Sequence, residues 1–253
     1  MKSLWMKTLL LTVALALQSH AIIGFGAHYT PAPSMEIKSN SGTITPTGAT
    51  NPITLDLNGS SGLQGLGVKL WLDFLPMVDL EVASNLQFGY YDLAVVQSGN
   101  SHDVKFDLGI PGMKDSPFYA RSQTDVAILY PFLKLPPGIS ILKLYAGGGL
   151  SCGAATQTLS AKFAKKALAN APTTEYNPAT DGYAEATKVL VKAIEDEGMV
   201  SGVGAFVQAG AHVKLPVIPI AAYADGKYRF LGSNPELIDG QDLSFELGVA
   251  LAF

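Results

Sequence analysis

Gly149-Leu150-Ser151-Cys152-Gly153 is the stretch with the most explicit chemistry. It fits G-x-S-x-G, a sharp strand-to-helix turn that presents a serine hydroxyl as a nucleophile. Asp181 or Asp196, then His212, would follow Ser151 in an order compatible with a base and its orienting carboxylate. An apolar strand-like run precedes the motif and a helical pattern follows it, as such a turn requires. Against this reading, no glycine-rich oxyanion loop lies upstream, His212 falls mid-strand by its alternation, and the chain beyond it continues as alternating strands rather than βα units. Serine hydrolysis is therefore retained only as an alternative, and no catalytic residue is assigned. Gly24-Phe25-Gly26, Gly65-Leu66-Gly67 and Gly202-Val203-Gly204 do not extend into GxGxxG opening a helix, so they are not dinucleotide fingerprints.

A second constellation consists of charges at positions that alternation turns to one side: Lys143, His212, Asp225, Lys227, Arg229 and Glu246. Lys227 and Glu246 are expected at similar heights on adjacent strands. Buried charges must be paired, so the set reads as an ion-paired polar interior that blocks a bore. The sharper reading is a narrow or gated conductance.

Composition narrows the classes. The chain has 253 residues, 48% apolar and 15% charged, and a net charge of −4. Mild acidity without a basic run argues against nucleic acid. One cysteine, Cys152, excludes an internal disulfide, and no Cys–His cluster exists for a metal. No cofactor is implied. Residues 1–21 read as a signal peptide: Lys2 and Lys7, an apolar core from Thr8 to Leu17, and small residues before a cut after Ala21. That core is too short to span a membrane. The remainder, 22–253, holds no later run of 18 apolar residues. An exported chain of this kind is either soluble or a membrane barrel.

The positioning elements are strands. Apolar side chains recur at every second residue near 23–29, 63–75, 79–95, 121–135, 139–152, 202–215, 220–231 and 244–253. Glycine or polar residues occupy the opposite parity. Connections alternate long and tight, and the three tight ones carry Leu75-Pro76, Leu135-Pro136 and Leu215-Pro216. Residues 31–61 and 97–118 read as polar loops. Residues 154–200 read as an insertion of two amphipathic helices, the second capped by Asp181 and ended by Gly198, packed on each other over a barrel mouth or binding a surface ligand. Pro131 predicts a bulge in the fourth strand. Asp225-Gly226 is kept inside one strand, because as a turn it would leave arms too short to span.

Eight such strands, the loop asymmetry and the closing aromatic Phe253 resemble small Gram-negative outer-membrane β-barrels of the OmpA, OmpX and OmpW type. The resemblance covers nearly all of 22–253 and carries no signature of one subfamily. It implies an all-β, eight-stranded antiparallel up-and-down transmembrane barrel, with the helical insertion in one long extracellular loop. It also implies outer-membrane lipid around the wall, the barrel-assembly machinery reading Phe253 on the last strand, and a structural, adhesive or small-solute role at the cell surface without catalysis. A narrow channel for small or apolar solutes is the nearest alternative.

Overall fold

The computed structural model describes residues 23–35, 38–45, 52–59, 62–73, 78–97, 99–104, 118–134, 142–177, 182–214, 218–231 and 241–252. The expected leader 1–21, Asp181, the three Leu-Pro turns and Phe253 lie outside them.

Eight antiparallel strands form a closed barrel. In chain order these are β1 (Ile23–Tyr29), β4 (Gln64–Leu72), β5 (Asp79–Tyr90), β8 (Phe118–Lys134), β9 (Leu142–Thr156), β10 (Met199–Lys214), β11 (Ile220–Leu231) and β12 (Gln241–Ala252). Each pairs with its predecessor among the eight. β1 closes the ring on β12, with Phe25 opposite Leu251. Closure leaves no barrel strand with an unpaired edge, which is the requirement hydrocarbon imposes on backbone amides.

Alternation fixes what each side sees. Leu66 on β4, Leu150 on β9, Val203 on β10 and Val249 on β12 are 69%, 67%, 66% and 63% exposed, so the apolar surface runs round the ring rather than forming one patch. The other parity is buried inside and mostly polar or small. Pro131 lacks an amide to donate, and the β8–β9 register shifts between Pro131 and Leu133. The apolar residues on both faces of this end of β8 also find a place. Leu129 turns inward and packs with Ala127, Tyr145 and Phe206 in a small apolar cluster within the bore. β11 runs unbroken through Asp225-Gly226.

Above the mouth the structure departs from the polar loops expected at 31–61 and 97–118. β2 (Asn40–Ile44), β3 (Ile53–Asn58), β6 (Asp92–Gln97) and β7 (Asn100–Asp103) form a second sheet in the order β2-β3-β6-β7. The predicted strand 79–95 is two strands, broken at Tyr91 between different sheets. The insertion is shorter than 154–200, because β9 runs to Thr156 and pairs it with Met199 of β10.

Its helices are α1 (Ala161–Asn170) and α2 (Tyr183–Glu197). Ser160 caps α1 by accepting from the Phe163 amide at 3.1 Å. Gly198 ends α2 at φ 70°, a conformation that favours glycine. The helices touch each other but also lie on the second sheet, α1 against β2 and α2 against β6. The expectation was that they pack on each other over the mouth or bind a surface ligand; the added contact with the second sheet is the difference. The reason for the difference is apolar demand: Ile53, Leu55, Leu57, Leu93 and Val95 need cover, and Phe163, Leu168 and Leu190 supply it. This cap core continues through Met35 and Leu63 to Tyr119 and Ala155 at the barrel mouth.

Candidate functional site: the ion-paired bore

Because successive residues of a strand face opposite ways, every second residue of the eight strands projects into one narrow space. Eight strands enclose an interior just wide enough for side chains to fill. Here those side chains are charged, and glycine makes the room. A Cβ on Gly210 would overlap the Asp225 carboxylate, and one on Gly24 would overlap the Trp71 indole.

At the tight-turn end, Lys143 pairs with Asp79 and lies 3.2 Å from Asp73 Oδ2. The His212 ring stands edge-on to Trp71, with centroids 4.9 Å apart, and its Nε2 has no hydrogen-bond partner. A cavity of about 20 Å³ beside these groups has room for one water. One level up, Lys69 pairs with Asp225, with Glu246 Oε2 at 2.8 Å and with Glu81 Oε2 at 3.3 Å. Tyr145 donates to Asp225 Oδ1 at 2.6 Å.

Mid-bore, Lys227 Nζ lies 2.7 Å from Glu246 Oε1 and 3.3 Å from both Glu81 Oε1 and Asp125 Oδ2. His28 sits between Tyr223 Oη at 2.8 Å and Asn85 Oδ1 at 2.5 Å. The Asn85 amide donates on to Glu246 Oε1 at 3.1 Å. That pattern assigns the Nε2 proton to His28, and in the neutral ring Nδ1 then accepts from the tyrosine. Towards the cap, Arg229 holds Asp125 through Nη2 at 2.6 Å and Nε at 3.3 Å, and reaches Asp242 Oδ2 at 3.2 Å. Arg121 closes the top on Asp242 Oδ2 at 2.8 Å, and also donates to Gln87 and to the Met35 sulfur.

The six charged residues singled out by alternation all face this space. Asp225, Lys227, Arg229 and Glu246 join one continuous set of ion pairs. Lys143 belongs to a separate cluster at the lower end, and His212 makes a ring contact instead of an ion pair. Sequence reasoning left five principal members out of the candidate set: Lys69, Glu81, Asp125, Arg121 and Asp242. The first four share the inward parity, so the signal was present. Asp242 was hidden because it falls between the predicted strands 220–231 and 244–253, although it keeps the parity of Ser244 and Glu246 in β12.

The nucleophile arrangement does not assemble. Ser151 is buried in the bore, donates to Asp125 Oδ1 at 2.7 Å and accepts from Gln123 at 2.6 Å. Ser151 pairs with Gly204, eight residues along β10 from His212, a separation of about 26 Å at roughly 3.3 Å per residue. Asp196 lies in α2 of the cap. Among the described residues, no group of three or more His, Cys, Asp or Glu side chains could hold a metal.

No family model matches the chain, and no curated protein matches it. Among solved structures it is similar to the outer membrane protein OprG from Pseudomonas aeruginosa at 10% identity, over 91% of this chain and 95% of that one, with a TM-score of 0.49. It is also similar to Ail, the attachment invasion locus protein of Yersinia pestis, at 10% identity over 91% and 97%, with a TM-score of 0.42. Neisserial surface protein A gives 12% identity over 91% and 97%, with a TM-score of 0.41.

Proposed function

We propose that the chain is an exported outer-membrane barrel whose bore is sealed by its own ion pairs and whose cap faces the exterior, with a structural or surface-interaction role and no catalysis. The observation that carries this reading is the inversion of the barrel. Its outer wall is apolar all round, while Lys69, Lys227, Arg229, Asp125 and Glu246 are buried inside it. A water-soluble barrel would place these groups the other way round, whereas a barrel in hydrocarbon has reason to keep charges inside and its sheet closed.

In this reading residues 1–21 are the export signal and Phe253 is the mark read by the assembly machinery. The short turns face the periplasm, as in bacterial barrels generally. The lumen residues Lys143, His212, Asp225, Lys227, Arg229 and Glu246 close the bore rather than select a solute. The surface-ligand part rests on a groove of about 320 Å³ between α1 and α2, floored by Phe163, Ala167 and Val189.

Membrane fractionation followed by SDS gels with and without boiling tests this. The protein is expected in the outer-membrane fraction as a heat-modifiable band. Recovery from the soluble periplasm, without heat-modifiable migration, would overturn it.

A further inference from the structure

The outer wall of the barrel is not evenly covered. A groove of about 790 Å³ runs across the outward faces of β12, β1, β4, β5 and β8. Its origin lies in side-chain size. Ala27 and Ser84 are outward positions filled by small residues, and they form the floor. Leu66, Leu86, Leu247 and Val249 stand up around them, each more than half exposed.

Pairing places these residues side by side. Val249 faces Ala27, Ala27 faces Val68 and Val68 faces Ser84 across consecutive strands. The next row towards the cap runs from Leu247 through Tyr29 and Leu66 to Leu86. The floor makes little polar demand on an occupant, because Ser84 Oγ and Thr124 Oγ1 lie 3.3 Å apart and serve each other. At the cap side, Tyr29 Oη donates to Gln64 Oε1 at 3.0 Å, so the groove ends in a polar rim.

We propose that this groove is a binding site for one acyl chain of a membrane lipid whose polar end lies towards the cap. The inference rests on the membrane reading above, and it names an occupant for one face of the wall. The occupant follows from position: the groove shares its parity, and hence its medium, with the exposed apolar stripe on all eight strands. The rim of Tyr29 and Gln64 puts the polar end towards the cap. A chain lying between Leu66, Leu86, Leu247 and Val249 covers apolar surface that a flat bilayer edge would leave poorly packed.

The test uses the full-length protein folded into phosphatidylethanolamine vesicles doped with a phosphatidylethanolamine carrying a diazirine midway along one acyl chain. After irradiation, labelled peptides are mapped by mass spectrometry. Labelling is expected to concentrate on the wall residues of the groove. It should be lost in Ala27→Leu and Ser84→Leu, which fill the floor, and kept in Ala205→Leu on the opposite wall. Even labelling round the barrel, or labelling unchanged by the two filling variants, overturns the site while heat-modifiable migration still upholds the membrane barrel. Failure to enter the vesicles with heat-modifiable migration overturns both readings.

Discussion

Lys227 is fully buried, with three carboxylates within 3.3 Å of its ammonium. Its desolvation is offset by the three together. Lys227→Met would leave Glu81, Asp125 and Glu246 with one cation fewer among them. Removing one partner of a buried ion pair costs about 3–5 kcal/mol, chiefly through the uncompensated charge left behind. Adding Glu246→Leu removes the opposite sign too, so the double variant is expected to lose less than the two single losses combined. Urea unfolding in lipid vesicles, followed by the fluorescence of Trp71, measures all three. Additive losses would mean that the pair is not coupled.

At the scale of elements, the passage from β5 to β6 decides the architecture. Odd-numbered residues in β5 are polar or small: Asp79, Glu81, Asn85, Gln87 and Gly89. From Tyr91 they become apolar, with Leu93 and Val95, while the even positions turn from Phe88 and Tyr90 to Asp92. The strand period never breaks, so alternation alone reads one strand over 79–95. What changes is which face is greasy, and that inversion marks the point where the chain leaves a wall for a cap. All eight barrel strands were therefore legible from period alone. The second sheet was not, because β2, β3 and β7 are only four to six residues long and sit in Thr, Ser and Asn-rich sequence, while β6 continues the period of β5. The bore ion pairs were partly legible, since parity gives the side of the sheet but not which charges meet across it.

Two predictions belong to the cap. Leu190 of α2 is 1% exposed within its core. Leu190→Ala is expected to cost about 2–5 kcal/mol of cap stability. Protease should then cut the cap faster while the barrel band stays heat-modifiable; loss of both together would make cap and barrel one cooperative unit. Tyr91 sits at the break, and burial pushes its phenol up to about 12 from 10, against a hydrogen bond with the Leu159 backbone that lowers it. A raised value in the folded state means this contribution is whole below pH 10 and is lost as pH climbs to about 12, by roughly 2–3 kcal/mol. Protease opening of the cap should steepen across that window and flatten in Tyr91→Phe.

Over the whole molecule, ion pairs cross the bore at three levels. Arg121 and Arg229 meet Asp242 near the cap, Lys69 and Lys227 meet Glu246 in the middle, and Lys143 meets Asp79 at the tight-turn end. An ion entering the bore would have to shed its hydration at each level and displace a cation already holding its carboxylate. Glu246→Ala removes the acceptor of the middle level, yet Lys69 keeps Asp225 and Glu81, and Lys227 keeps Asp125 and Glu81. The level below is untouched, and the level above loses only the 3.9 Å approach of Arg229 to Glu246. Planar-bilayer recording is therefore expected to show no unitary steps for the wild type, for Glu246→Ala or for Lys143→Ala, with insertion checked beforehand by heat-modifiable migration. Steady steps in either single variant would mean that one ion pair gates an otherwise continuous passage, and the sealed-bore reading would give way to a channel.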